Sequence, residues 1–148
     1  MRTLSAVAML AALACAPLVH AQHHDHAAAP PAVEAPAQRY AADAVLSEHM
    51  QGVRSAVEGL GHYEHGHMGP AMAVQLAAQV EDHVRAIVAN CKLAPEADAA
   101  LHAIIVPLVQ NAGALKQDPA NLDAIQPMRD ALARYATQFD DPAFAAAN

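Results

Sequence analysis

Between Asp43 and Phe139 the large apolar side chains recur every three or four positions, and no stretch alternates apolar with polar as a half-buried strand does. Four helical segments follow from that period. The first runs near Asp43 to Leu60 with a stripe of Leu46, Met50, Val53, Val57 and Leu60. Asp43 is its expected N-cap, and Gly59 and Gly61 are expected to end it. The second runs near Pro70 to Asn90, Pro70 suiting a first helical turn, with Ala73, Leu76, Val80, His83, Ile87 and Cys91 in line. The third opens at Pro95, where Glu96 and Asp98 favour the positive end of the helix dipole. Its stripe includes Leu101, Ile105, Leu108, Ala112 and Leu115, and Pro107 is expected to kink it one turn upstream. The fourth starts at Asp118-Pro119 or restarts near Asp123, because Pro127 interrupts it; Ile125, Met128, Leu132, Tyr135 and Phe139 form its stripe.

Short links between four amphipathic helices predict an all-α protein, an up-down-up-down antiparallel four-helix bundle. The predicted seam holds Leu46, Val53, Leu76, Val80, Ile87, Leu101, Ile105, Leu108, Leu132 and Phe139. The bundle is expected over 39–142, with a C-terminal tail at 143–148.

The residues ahead of the bundle change where it is expected to work. MRTLSAVAMLAALACAPLVHAQ carries one early charge, Arg2, an apolar run from Leu4 to Leu18, and the small-residue cleavage pattern Val19-His20-Ala21. This reads as a secretory signal peptide over 1–21, too short and wrongly flanked for a membrane span, so the mature chain is expected in the periplasm with Gln22 first. The rival, a lipid-modified Cys15, ranks second because Ala12-Leu13-Ala14 lacks the usual leucine three residues before the cysteine. Residues 22–38, QHHDHAAAPPAVEAPAQ, have too few large apolar groups to offset ordering entropy and are expected to form a flexible tail. About 127 mature residues suit one domain.

Cleavage removes Cys15 and leaves Cys91 alone, so no intramolecular disulfide is expected; Cys91 is a packed thiol, a metal ligand or an intermolecular bridge, the first preferred. Fifteen acidic residues against eight basic, with no basic cluster, argue against nucleic acid and anionic membrane surfaces.

VANCKLAPEADAALH, Val88 to His102, resembles a group of small exported bacterial proteins known as DnrO-like. The loop GHYEHGHMGP and the closing YATQFDDPAF are similar to that group too. The resemblance covers most of the mature chain apart from the His-rich tail; it implies an exported helical protein and no settled activity. A looser likeness is to cytochrome b562-type four-helix bundles, in which a first-helix methionine and a last-helix histidine ligate haem. Met50 stands suitably on the first helix here, but the fourth helix has no histidine, so that pair does not carry over.

Candidate chemistry lies in the histidines. The chain lacks a nucleophile elbow, a glycine-rich phosphate loop, a haem-attachment motif and the Glu-x-x-His repeats of di-iron bundles, so no enzyme is expected. Three histidine groups are candidates for metal. At the new N-terminus, the amine, two amides and the His24 imidazole form a square-planar donor set for Cu(II) or Ni(II), which cyclisation of Gln22 abolishes. In GHYEHGHMGP, His62, His65, His67 and Met68 combine imidazole with thioether between glycines, which suits copper first and zinc second; the plain alternative is a solvated turn. Inside the bundle, His49 and His83 each lie seventeen residues from Gly66 and should share a height on antiparallel helices. His102 falls within roughly 3 Å axially of His83, at about 1.5 Å per residue, and Met50 joins the layer. Shared height does not fix phase, so the preferred account of this group is a hydrogen-bonded core histidine at His83 with His49 or His102 facing solvent, and convergence on a metal ranks second.

These patterns lead to an expectation of transition-metal binding or handling. The alternatives are a b-type haem or electron-transfer bundle using Met50 with His83 or His102, and a metal-free helical interaction module.

Overall fold

The structure is a computed structural model that describes residues 39–146. The expected leader, the tail with His24 and the last two residues lie outside the described range. Within it the chain is mostly helical, with four long helices: α1 (Ala44–Glu64), α2 (Pro70–Asn90), α3 (Pro95–Gln117) and α4 (Ile125–Gln138). A single 3-10 turn, Leu122–Ala124, leads into α4. Helix α1 packs on α2, α2 on α3 and α3 on α4, and α1 also meets α4.

Asp43 caps α1 as expected, its Oδ1 accepting from the Leu46 N–H at 2.7 Å. Its Oδ2 accepts from the Lys92 N–H at 2.8 Å, so one carboxylate serves the start of α1 and the loop after α2. Gly59 and Gly61 do not end the helix, contrary to the sequence expectation. Gly59 lies inside α1, where a Cβ would stand 2.9 Å from Leu76 Cδ1; the glycine lets two helices approach closely. The chain leaves the helix at Gly66, whose φ of 75° is open to glycine at little cost.

Pro107 and Pro127 both sit within helices. Pro107 sits inside an unbroken α3. Its missing N–H leaves the Ala103 carbonyl without its helical donor, and Arg134 Nη1 from α4 reaches that carbonyl at 3.3 Å. Pro127 does not interrupt α4 but occupies its first turn, where no intrahelical N–H bond is lost.

Nine of the ten predicted seam residues are buried, and Leu76 is half-buried against them. Met50, Leu60, Leu115, Ile125 and Met128 complete the centre of the core. Among the described helices, α3 alone has the length and apolar content to cross a membrane. Leu101, Ile104, Ile105, Leu108, Ala112 and Leu115 bury one side of it in the core.

Two features depart from an all-helical reading with a loose C-terminus. A minimal parallel pairing joins β1 (Tyr40–Ala41) to β2 (Phe139–Asp140). Two residues per strand are too few to show an alternating pattern. Residues beyond 142 are not simply a tail: α5 (Pro142–Ala146) buries Phe144. The buried Asp141 ahead of α5 fastens this end. Its carboxylate accepts from Ser47 Oγ at 2.8 Å, Tyr135 OH at 2.8 Å and the Phe144 N–H at 3.0 Å.

Candidate functional site

Among the described residues, the closest pair of histidine rings is between α1 and α2. His49 and His83 lie on facing helices, both half-buried, with their Nδ1 atoms 3.1 Å apart. Their ring centroids are 5.4 Å apart at an interplanar angle of 49°. The sequence arranges this in two ways. Equal chain distance from the α1–α2 turn puts the two at one height. Gly52, one turn after His49, supplies the space: a Cβ there would collide with Cε1, Nε2 and Nδ1 of His83. The His83 ring therefore lies against bare α1 backbone, with its Nδ1 turned to His49.

Two neutral imidazoles in this arrangement share one proton, one Nδ1–H donating to the other Nδ1. The same geometry is close to a chelating one. Two nitrogens about 2.0–2.1 Å from a tetrahedral ion stand about 3.3 Å apart, so a shift of a few tenths of an ångström separates a hydrogen-bonded pair from a two-histidine clamp.

The other members of the expected inner group do not gather there. Met50 is fully enclosed in the core, about 100° round the helix from His49. His102 is exposed on α3, its Nδ1 2.9 Å from the Asp98 carbonyl oxygen and 3.4 Å from Asp98 Oδ2. Of the four residues that shared height allowed to converge, only the pair meets, and His102 faces solvent as the preferred alternative had it. Met50 and His102, one of the two pairs weighed for haem, occupy unlike surroundings.

The loop histidines are neighbours without a closed ligand set. His62 belongs to the last turn of α1 and His65 is its C-cap, while His67 follows the turn at Gly66. Ring centroids are 6.2 Å apart for His62 and His67 and 6.3 Å for His65 and His67. All three are exposed and Met68 is half-buried. Backbone bonds, including His67 N–H to the His62 carbonyl at 2.8 Å, fix the turn without drawing the rings together. Among the described residues, no three His, Cys, Asp or Glu side chains are grouped to hold a metal ion.

Cys91 is half-buried at the end of α2. Burial first, then its hydrogen bond to Asp43 and the nearby negative charges of Asp43 and Asp98, push its thiol up to about 11. A thiol so protonated is a packing group rather than a ready ligand or nucleophile.

The pattern-based reading missed Gly52 as a cradle and the burial of Arg54 and Asp141. A glycine one turn after His49 was the visible signal for the first, and an arginine within the Met50–Val57 stripe for the second. Comparison with protein-family models, curated proteins and solved structures returns no match to this chain.

Proposed function

We propose that this is an exported, periplasmic protein that binds and hands over a transition-metal ion. The observation that carries the reading is the 3.1 Å Nδ1–Nδ1 approach of His49 and His83 over Gly52. A pair of imidazoles offers an open site, leaving further coordination positions for water or for donors of a partner that delivers or receives the ion. No thioether accompanies this pair, so it suits a divalent ion, Cu(II) or Zn(II), more than Cu(I). The loop of His62, His65, His67 and Met68 supplies a second, more exposed set of donors, and His24 of the N-terminal segment a third. Copper remains ahead of zinc where Met68 takes part. The leader-like sequence at 1–21 supports export.

The up-down-up-down arrangement belongs to the same proposal. Asp43 at the start of α1 bonds Lys92 just past the end of α2, and Glu64 at the end of α1 pairs with Arg129 near the start of α4 at 2.6 Å. Such end-to-start pairings support antiparallel neighbours.

The test is a competition titration with Zn(II) and Cu(II) on three forms of the mature chain, each carrying His24→Ala to remove the N-terminal amine site: the parent, His49→Ala/His83→Ala, and His62→Ala/His65→Ala/His67→Ala. The tightest divalent site should disappear from the first variant and survive in the second. Stoichiometry and affinity unchanged by the first variant would refute the clamp.

A further inference from the structure

Arg54 stands on the apolar face of α1 with only 6% of its surface exposed. Its Nη1 is buried and has no hydrogen-bond partner. The guanidinium carbon lies 3.4 Å from the centroid of the Phe144 ring, so α5 covers one face of the cation. A ring on that face stabilises the charge but accepts none of the in-plane N–H bonds. A buried cation with a free donor lacks an acceptor.

An open recess of about 250 Å³ adjoins it between α1, α4 and α5, lined by Arg54, Glu58, Leu132, Ala133, Ala136 and Phe144. Glu58 is exposed one turn beyond Arg54, and among the described residues the two form no salt bridge. The recess is thus lined by a nearly buried cation, an exposed carboxylate and apolar side chains. A simple anion would satisfy Arg54 but face Glu58. A simple amine would pair with Glu58 and leave Arg54 as it is.

We propose that this recess binds a small aliphatic zwitterion of the amino-acid type. Its carboxylate bonds the in-plane edge of Arg54 and its ammonium group meets Glu58. The alkyl group lies on Leu132, Ala133 and Ala136. The site is on a different face of α1 from His49 and does not depend on metal binding.

The test uses the mature chain and three probes with one alkyl group: valine, isovalerate and isobutylamine. Binding is followed by NMR at the Arg54 Nε–H and the Phe144 and Ala136 amides. Valine should give saturable shifts and bind about tenfold more tightly than isovalerate, the effect of one charge-assisted hydrogen bond; isobutylamine should give none. Glu58→Gln, at an exposed position that leaves folding intact, should bring valine down to the affinity of isovalerate. Arg54→Gln should abolish binding of both, but Glu58→Gln decides the matter if that variant fails to fold. The proposal is overturned if valine gives no saturable shift, if valine and isovalerate bind alike, if isobutylamine matches valine, or if Glu58→Gln leaves valine affinity unchanged. The last two results would mean that Arg54 and Glu58 do not act as a charge pair for one ligand.

Discussion

Gly52→Ala separates a metal clamp from an incidental histidine contact without touching either histidine. The added methyl would collide with three atoms of the His83 ring, so the imidazole has to swing off α1 and give up its 3.1 Å approach to His49. The helix itself gains from the change: alanine is favoured over glycine inside a helix by about 1 kcal/mol. That gain offsets part of the cost of moving a half-buried ring, and the fold should survive. Changes that misorient a ligand typically reduce metal affinity about 10–100-fold, or about 1.4–2.8 kcal/mol. The assay is Zn(II) competition against a chromophoric chelator, run in a background where His23, His24, His26, His62, His65 and His67 are alanine, so that only the α1–α2 pair is read. Ring ¹⁵N shifts of His49 and His83 should show the shared Nδ1 proton in the parent and its loss in the variant. A Gly52→Ala protein that holds zinc within twofold of the parent would refute the reasoning, because the clamp requires the ring to lie where the methyl now stands.

Two further outcomes concern the ends of the helices. Burial raises the Asp141 carboxyl, but hydrogen bonds from the Phe144 N–H, Tyr135, Ser47 and the Ala143 N–H outweigh it and hold its pKa below the ordinary value. A lowered folded pKa means stability present above the unfolded value of about 3.9 and lost as pH falls through the folded one. Asp141→Ala should therefore lower neutral-pH stability by about 2–5 kcal/mol, leaving the buried Tyr135 hydroxyl unpaired, and should flatten the acid limb of a Tm-against-pH profile; an unaltered acid limb would count against this account. Cys91, with its thiol raised to about 11, should alkylate with iodoacetamide at pH 8 far more slowly in the folded chain than in denaturant, and equal rates would show that the burial argument fails.

What the sequence made legible was what depends on one helix at a time. The Asp43 cap and the stripes through Leu46 and Ile87 follow from local chemistry and a 3.6-residue period, and the structure has them. Gly59 and Pro127 escape a local reading because their roles depend on something beyond their own segment. Gly59 answers to Leu76 on the facing helix, and Pro127 is harmless only because α4 begins at Ile125. The histidines divide along the same line. Counting from Gly66 predicts that His49 and His83 share a height, and a two-residue comparison across one turn is enough to bring them together. Extending the count across a second turn to His102 gives height alone, one cylindrical coordinate, and the angle sends that ring to Asp98 and solvent. Gly52 holds the missing angular information for the first pair. A glycine one turn from a histidine, opposite a second histidine at equal distance from the turn, marks where a ring can lie flat on a helix. The spacing of all three residues carries that information along the chain, whereas neither the glycine nor the histidines alone do.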